Sequence, residues 1–334
     1  MIKWIFLIGF LAGINSAFSQ NYTWQEIQTP VKASLRGLSP VSGQLVWASG
    51  SGGTWLRTLD GGKSWDHGVI AGLDTVDFRS IHAFDKNTAV AASAGQPAVI
   101  YRTEDGGRSW VKVHEEGKEA FFDAIAFSDK RKGYVLGDPV GGNWMILETV
   151  DGGKSWRSLT NLPKAEAGEA AFAASSSSMI AKKDQLMFAT GGSISNLHFY
   201  SFSNRQWTKE PISQMAQGES SQGVFAMAHQ DEKLILVGGD YLQPKIVKGN
   251  SVLRSHGVFS IPSQSTSGYR SGVASLEKPN LIVAVGPDGW DYSLDSGLTW
   301  ISFSEVGFHA VKSSSDKKFL WASGSQGRVG VFIK

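Results

Sequence analysis

Short apolar runs alternate with polar turns along most of the chain. Residues 79–84 and 88–92 form two such runs on either side of a polar turn at 85–87, and residues 99–102 form a third. Apolar runs of this length, bounded by turn residues, are typical of β-strands. A further run follows a polar hairpin, so the pattern predicts four short strands in each repeat of about 45 residues.

The polar hairpin is itself repeated. Copies of it read TLDGGKSW at 58–65, TEDGGRSW at 103–110, TVDGGKSW at 149–156 and SLDSGLTW at 293–300. The first three aspartates are 45 and 46 residues apart, and the fourth follows after 144, which is three periods of 48. Two degenerate copies are therefore expected between the third and the fourth.

Each copy places a hydroxyl residue two positions before the aspartate and a tryptophan five positions after it. The carboxylate can accept N–H groups across the turn, the glycines supply positive φ, and the tryptophan begins the next strand with its ring available to pack inward. A structural role is predicted for the aspartates and tryptophans of the four copies: Asp60, Trp65, Asp105, Trp110, Asp151, Trp156, Asp295 and Trp300.

These tracts resemble the Asp-box, or BNR, repeat of sialidases, sortilin-type receptors and photosystem II assembly-factor propellers. The resemblance implies an all-β, seven-bladed β-propeller, related to WD40/YVTN/BNR-like folds, with each box at an outer hairpin away from the functional face. Reading strand by strand, the blades begin near Leu35, Phe78, Phe121, Ala170, Gly223, Tyr269 and Phe308. The fourth box is worn (YSFSNRQW, 200–207), and the fifth has lost its aspartate and tryptophan (248–257).

The seventh blade has no outer strand of its own at the end of the sequence. The tract TWQEIQTP at 23–30 matches the outer-strand openings of the other blades, with Trp24 in the position of Trp65 and Trp300. We therefore predict that this N-terminal strand completes the last blade, which removes the exposed edges of an open array.

The first 19 residues read as a signal peptide. Lys3 precedes an apolar run at 4–12, and Ala17, Phe18 and Ser19 put small residues where a signal peptidase reads them, so cleavage is predicted before Gln20. One propeller domain then spans 20–334. Because the apolar run is short for a membrane span and the chain has no cysteine, we expect a periplasmic or secreted monomer with no span after cleavage.

Composition narrows the classes of function. The net charge is +2, and no block of lysine and arginine exceeds three residues, which argues against nucleic acid as a partner. No cysteine pair or glycine-rich dinucleotide motif suggests a cofactor, and none is predicted. The seven histidines lack ligand spacing, so no metal site is predicted; a hard cation would need Asp138, Asp240 and Asp288 to converge.

Candidate chemistry lies where the innermost strands of the blades start and where the loops after the second strands return. Both sets converge on one mouth of the central channel, and loops on a rigid scaffold are where recognition usually occurs. The predicted ligand-binding set is Arg36, Arg79, Asp123, Asp138, Glu169, Asp240, Tyr241, Arg270, Asp288, Asp291, His309 and Arg328. A plainer interpretation is that these side chains pair with one another around a wet channel.

A second resemblance favours a functional mouth. The tracts GEAAFAAS (168–175), GGDY (238–241), GYRSGVA (268–274), VGPDGWDYSLDSGLTW (285–300) and GFHAV (307–311) resemble signature blocks of exported bacterial Asp-box propellers. That family is commonly labelled "oxidoreductase" or "photosystem II assembly-like", and the sequence supports no redox chemistry.

Two classes of function stay open at the level of sequence. The first is a scaffold or assembly factor that binds an unknown protein or glycan ligand at the mouth, with Arg36, Arg79 and Arg270 at blade starts. Asp123 and His309 occupy equivalent places, so the patch is not purely basic. Catalytic residues are not assigned.

The second class is a carbohydrate-active enzyme. By resemblance to sialidases, Arg79, Arg270 and Arg328 would bind a carboxylate, Tyr241 with Glu169 would supply the nucleophile, and Asp138 the acid. Asp138 and Asp240 would instead serve inverting hydrolysis at a separation of roughly 6.5–9.5 Å. Tyr241 with His309 would suit a polysaccharide lyase.

Overall fold

Seven antiparallel sheets form a closed, all-β propeller in the computed structural model, which describes residues 23–276 and 280–333. The predicted fold class is confirmed. The predicted signal peptide (1–19) and its cleavage point before Gln20 lie outside the described residues. In the described part, a 3₁₀ turn at Ser325–Gly327 interrupts the last blade.

The first three blades each contain four consecutive strands. After β1 (Thr23–Ile27), blade 1 comprises β2 (Leu35–Pro40), β3 (Val46–Gly50), β4 (Thr54–Thr58) and β5 (Asp66–Val69). Blade 2 comprises β6 (Asp77–Ala83), β7 (Ala89–Ala94), β8 (Val99–Thr103) and β9 (Val111–Glu115). Blade 3 comprises β10 (Phe122–Phe127), β11 (Gly133–Val140), β12 (Asn143–Thr149) and β13 (Arg157–Ser158).

The central blades are less regular. Blade 4 comprises β15 (Met179–Ala181), β16 (Gln185–Ala189), β18 (Asn196–Ser201) and β19 (Gln206–Pro211). Blade 5 comprises β20 (Gln222–Gln230), β21 (Lys233–Asp240), β22 (Ser251–Ser255) and β23 (Val258–Ser260), and its sheet is extended by β14 (Glu169–Ala170) and β17 (Gly191–Gly192).

The last two blades bring the chain back to its beginning. Blade 6 comprises β24 (Gly272–Leu276), β25 (Leu281–Gly286), β26 (Gly289–Ser293) and β27 (Ile301–Ser304). Blade 7 comprises β28 (Ala310–Ser313), β29 (Leu320–Ser323) and β30 (Val329–Ile333), with β1 as its outer strand.

The N-terminal strand closes the ring as the sequence predicts. Strand β1 runs antiparallel to β30, with Trp24 opposite Phe332. The Trp24 ring packs 5.2 Å from the Phe308 ring and 5.9 Å from the Trp290 ring, which belongs to blade 6. Closure therefore buries an aromatic cluster between blades 6 and 7 and covers the outer edge of β30 with β1.

The Asp-box is a self-contained network of hydrogen bonds. In blade 2 the Thr103 hydroxyl donates to the Asp105 carboxylate at 2.9 Å and accepts from the Gly107 N–H at 3.0 Å. The same carboxylate accepts from the Ser109 N–H and hydroxyl. Gly107 has φ +91°, and a Cβ there would lie 2.5 Å from the Trp55 ring, so this position requires glycine.

The box tryptophans build the interfaces between blades. Trp300 of blade 6 is buried with Ile235 and Leu253 of blade 5 and with Ile282 of its own blade. Trp156 of blade 3 packs in the same way with Val90 of blade 2. In blades 3 and 6 the box tryptophan therefore packs against the preceding blade.

The predicted start of the fourth blade at Ala170 is wrong. The innermost strand of that blade is β15, which begins at Met179, whereas Ala170 pairs with Gly191 in the sheet of blade 5. The segment between them, 171–178, contains only alanine, serine and one phenylalanine, and it is part of none of the blade strands. We call it the crossing segment.

The crossing segment lies across the channel, because it bonds to other blades on several sides. The Ser176 hydroxyl accepts from the Ile125 N–H in blade 3, and the Ser175 hydroxyl donates to the Ser271 carbonyl beside blade 6. Arg36 of blade 1 and Lys312 of blade 7 donate to the carbonyls of Ala174 and Ser176. Small side chains allow this backbone, which turns at Ala173 and Ala174, to fit within the channel.

Candidate functional site

One side of the crossing segment forms the floor of a cavity of about 620 Å³, at the end of the channel where the innermost strands begin. We call it the first cavity. Six of the twelve predicted binding residues line it: Arg36, Arg79, Asp123, Asp138, Tyr241 and Asp288. They come from innermost-strand openings and from the turns after second strands, so the predicted convergence on this mouth holds for half of the set; binding itself stays a prediction.

Asp123 is the most unusual group in the first cavity. Its side chain is fully buried, and neither carboxylate oxygen has a hydrogen-bond partner among the described residues. Burial, and then the nearby Asp138 carboxylate, raise the pKa of Asp123 well above its usual range, against the pull of Arg79. A buried carboxyl group without a hydrogen-bond partner is costly, so Asp123 favours a ligand that brings a hydrogen-bonding group to it.

Asp138 is the second acid of the first cavity. It accepts a hydrogen bond from the Ala171 N–H at 3.0 Å, which fixes the start of the crossing segment. Burial raises the pKa of Asp138, and this hydrogen bond opposes the shift. The two acids therefore favour a neutral or cationic group on the ligand side of the cavity.

The basic side of the cavity is formed by blades 1 and 2. Arg36 donates to the Ala174 carbonyl at 3.2 Å, which ties it to the floor. Arg79 pairs with Asp77 at 2.8 Å and keeps about a third of its side chain exposed. Arg79 is therefore the guanidinium with the most freedom to meet a carbonyl or carboxylate of a ligand.

An apolar wall faces these charges, and the sequence analysis did not include it. Phe172 of the crossing segment stacks on Phe225 at 3.8 Å, and Tyr269 meets Phe225 edge-on at 4.8 Å. All three rings line the first cavity. The sequence signal for this wall is the tract at 168–175. Its alanines and Phe172 are more apolar than the residues of an ordinary surface loop.

A loop of exposed apolar residues forms part of the rim. Residues 241–250 connect β21 to β22, and Tyr241 and Pro244 from this loop line the cavity. Leu242 is 71% exposed, and Ile246 and Val247 are about half exposed. Large apolar side chains grouped at the mouth of a cavity mark a surface that other proteins contact.

Asp240 holds this loop in place instead of facing the cavity. Its carboxylate accepts from the Leu242 N–H at 2.9 Å and from the Gln222 side chain at 3.1 Å. These hydrogen bonds lower the pKa of Asp240, although burial acts in the opposite direction. The predicted residue therefore acts on the site through the loop that carries Tyr241.

Glu169 lies away from the first cavity, in a buried network. One of its oxygens accepts from Thr190, Asn196 and His198 at 2.7, 3.0 and 2.9 Å, and the other accepts from the Glu166 N–H. Although burial opposes the shift, these donors lower the pKa of Glu169 to about 2. With its acceptors occupied, Glu169 fixes the entry to the crossing segment.

Arg270 and Asp291 form a buried ion pair. Their side chains are 4% and 1% exposed, with Nε to Oδ2 at 2.6 Å. Arg270 also donates to the Tyr269 carbonyl and to the Ser267 hydroxyl. The pair ties β26 to the start of blade 6, and neither side chain lines the cavity.

His309 and Arg328 also stand outside the cavity lining. Burial, and then the positive charges of Arg36, Arg79 and Arg328, lower the pKa of His309 to about 4. Arg328 donates to the Gly307 carbonyl at 3.0 Å and lies 3.8 Å from Glu26 of β1. Arg328 therefore supports the junction of the first and last strands.

This arrangement gives no support to a carbohydrate-active enzyme. Of the arginines that a sialidase-like site would need, only Arg79 lines the cavity, because Arg270 is sealed by Asp291. Tyr241 has no partner in Glu169, whose oxygens are occupied. The alternative pairs, Asp138 with Asp240 and Tyr241 with His309, each have one member outside the lining.

Residues 23–276 and 280–333 also bear on metal binding and on membrane insertion. No group of three or more histidine, cysteine, aspartate or glutamate side chains in this part of the chain is placed to hold a metal ion. The same residues include no helix that is long and apolar enough to span a bilayer.

Comparison with known proteins supports the resemblance drawn from the sequence. The family model described as "Photosynthesis system II assembly factor YCF48" matches residues 16–119. No protein among those of curated function matches the sequence. The match covers the N-terminal third of the chain, including the first two Asp-boxes.

Solved structures match almost the whole chain. One is "YCF48 bound to D1 peptide", with 17% identity, 93% of this chain and 97% of that chain covered, and a TM-score of 0.65. Another is YCF48 from Cyanidioschyzon merolae, with 16% identity, 92% and 98% covered, and a TM-score of 0.67. A third, U3-55K, has 11% identity, 93% and 98% covered, and a TM-score of 0.64. At these identities the likeness establishes the propeller fold.

Proposed function

We propose that this YCF48-like propeller is a non-enzymatic scaffold whose first cavity binds a peptide segment of a protein partner. The observation that carries the proposal is the fully buried Asp123 carboxyl group, which has no hydrogen-bond partner among residues 23–276 and 280–333 and lines a cavity of about 620 Å³. Cavities of this size are typical of ligand sites. A peptide is the ligand class that brings N–H donors, carbonyl acceptors and apolar side chains together.

Different walls of the cavity contact the polar and the apolar groups of the peptide. Asp123 and Asp138 accept N–H groups, and Arg79 donates to carbonyl or carboxylate oxygens. Phe172, Phe225 and Tyr241 receive an apolar side chain. The exposed apolar residues of the 241–250 loop extend the contact beyond the cavity, which favours a protein partner over a small molecule.

The comparison gives this proposal independent support. A propeller of the same fold, YCF48, has been solved bound to D1 peptide. A peptide partner is therefore compatible with this architecture, and the identity of the partner of this chain is set by its own charges: two acids from blade 3 beside an accessible guanidinium from blade 2.

A selection of peptides tests the proposal directly. A random-peptide phage library is selected on the mature propeller, and the dissociation constants of enriched peptides are measured by fluorescence polarisation. Arg79→Ala and Tyr241→Ala are expected to weaken binding about tenfold or more, since each removes a cavity contact. Arg157→Ala, on a highly exposed side chain of blade 3, is the matched control and should bind as the wild type does.

Two results would contradict the peptide proposal. If no peptide is enriched, or if enriched peptides bind both cavity variants as tightly as the wild type, the first cavity is not a peptide site. Both side chains are partly exposed, so loss of folding does not confuse the result, and a melting curve verifies each variant.

We further propose that the protein is exported and acts as a periplasmic or secreted monomer. The proposal rests on the charge, apolar run and small residues of 1–19. The mass of the mature protein from the cell envelope, measured by mass spectrometry, should correspond to a chain beginning at Gln20. A full-length chain in the cytoplasmic fraction contradicts this.

A further inference from the structure

A second cavity, of about 580 Å³, occupies the opposite end of the channel. It is lined where the innermost strands end, and the crossing segment separates it from the first cavity. Its walls include His82 of blade 2, His229 of blade 5 and Lys312 of blade 7. None of the residues predicted from sequence lies here.

Lys312 is a half-buried cation with no acidic partner among the described residues. Its Nζ donates to the Ser176 carbonyl at 2.7 Å, and within the described parts of the chain no carboxylate lies in salt-bridge range of it. An ammonium group has three donors, so the carbonyl satisfies only part of its capacity. Burial, and then the charge of Lys317, lower the pKa of Lys312 to about 8. The group is therefore still mainly protonated at neutral pH.

The charged groups that face Lys312 are mostly of the same sign. Lys182 of blade 4 and Lys317 of blade 7 line the cavity with it, and Asp231 of blade 5 is the acid on the walls. Three cations against one anion in a partly enclosed space create a positive potential, which attracts anionic ligands.

Two histidines add neutral hydrogen-bond donors. Burial lowers the pKa of both His82 and His229 to about 4, with Lys312 adding to the effect at His82 and Lys182 at His229. Among the described residues, neither ring nitrogen of His229 makes a hydrogen bond of good geometry, although the Lys233 backbone lies close enough to raise its pKa slightly against the effect of burial. A neutral imidazole can donate one N–H to an anion, and an unmet buried donor is expected to gain from doing so.

We propose that the second cavity binds a small oxyanion, the carboxylate or phosphate group of an organic ligand, with Lys312 as its main charge partner and His229 as a hydrogen-bond donor. The site does not depend on the peptide proposal, since the crossing segment stands between the two cavities. An anion would replace the acidic partner that Lys312 lacks, and it would fill a volume typical of small-ligand sites.

Isothermal titration calorimetry with sulfate and with acetate tests the site. The two probes stand in for a phosphate and a carboxylate and keep their charge above neutral pH; tighter binding of one identifies the ligand class. Lys312→Met is expected to weaken binding about tenfold or more. Lys63→Met, on an exposed lysine of an Asp-box hairpin, is the matched control and should leave binding unchanged.

A pH titration of the wild type gives a readout that needs no variant. Because Lys312 loses its proton above about pH 8, binding should weaken above that pH, by up to about tenfold per pH unit. The proposal is overturned if neither probe binds, if Lys312→Met is folded and binds equally well, or if binding is constant from pH 7 to about pH 10.

Discussion

Arg36 donates a hydrogen bond from Nη1 to the Ala174 carbonyl at 3.2 Å, although 138 residues separate them in the chain. From the other end of the channel, Lys312 donates to the Ser176 carbonyl, two residues further on. The crossing segment is therefore held by one cation on each side. This relationship divides the channel into two cavities of opposite character, one with paired acids and one with an excess of lysines.

Loss of the hydrogen bond from Arg36 to Ala174 should loosen the crossing segment without unfolding the propeller. In Arg36→Met, hydrogen exchange at residues 171–178 is expected to accelerate, because the Ala174 carbonyl loses its donor. Mass spectrometry after exchange measures this. Arg79→Met is the matched control, since Arg79 bonds to Asp77 and not to the segment. Equal protection in the wild type and Arg36→Met would show that the contact does not hold the segment.

Replacing Arg270 should lower the free energy of unfolding far more than replacing Arg79. Arg270→Ala leaves the Asp291 carboxylate buried without its cation, and breaking such a pair costs about 3–5 kcal/mol. Arg79→Ala breaks a half-exposed pair, for which about 0–1 kcal/mol is expected. Urea unfolding measures both. Similar free energies of unfolding for the two variants contradict this assignment.

The Asp-box depends on its buried hydroxyl. Thr103→Val keeps the shape of the side chain and removes a donor to Asp105 and an acceptor for the Gly107 N–H. Because the hydroxyl is buried, the expected loss of stability is about 1–3 kcal/mol. Ser109→Ala, which removes an exposed hydroxyl of the same box, should cost less. A reversed order would mean that the carboxylate contacts dominate the turn.

Acid should weaken the boxes over a defined range of pH. Hydrogen bonds from Ser64 and Ser109 lower the pKa values of Asp60 and Asp105 to about 2 from an ordinary value of 3.8. A lowered folded-state pKa stabilises the protein above the unfolded value, and this contribution is lost as pH falls towards 2. The melting temperature should decline from about pH 4 downwards. In Asp105→Asn the decline should be shallower.

The contribution of Asp123 to stability should change with pH in the opposite direction. Its folded-state pKa is raised, so the folded form holds the proton more tightly, and this contribution to stability falls as pH rises above 3.8. Asp123→Asn should therefore melt higher than the wild type at pH 7, and the difference should shrink below pH 4. The exposed Asp74→Asn serves as control. A variant less stable at pH 7 would mean that the carboxylate has a stabilising partner.

The repeat made most of the fold predictable. Thr103, Asp105, Gly107 and Trp110 lie within eight residues, so their hydrogen bonds are local and visible in the sequence. The closing strand was predicted in the same way, because Trp24 copies the position of the box tryptophans. The start of blade 4 was not, because its worn box and its alanine- and serine-rich tract lose the strand pattern at the point where the chain crosses the channel.

The site was predictable only in part. Topology brought Arg79, Asp123 and Tyr241 to one mouth, as expected from strand openings and return loops. Strand position alone does not distinguish these residues from Arg270, which has the same position in its blade. Arg270 differs because Asp291, on a neighbouring strand of that blade, pairs with it. Lys312 was not predicted, because it lies at the opposite end of the channel, where the innermost strands end.

By itself the sequence determined the all-β class, the seven blades, the closing strand and the structural role of the boxes, because each of these follows from short-range chemistry repeated along the chain. Only the tertiary structure decided which polar residues meet a cavity and which meet each other. Whether a buried charge finds a partner depends on residues more than a hundred positions away, as Arg36 and Lys312 find theirs in the crossing segment. Among the described residues, that long-range pairing leaves the Asp123 carboxyl group without a hydrogen-bond partner and Lys312 without an acidic one, and the two proposed sites rest on these two residues.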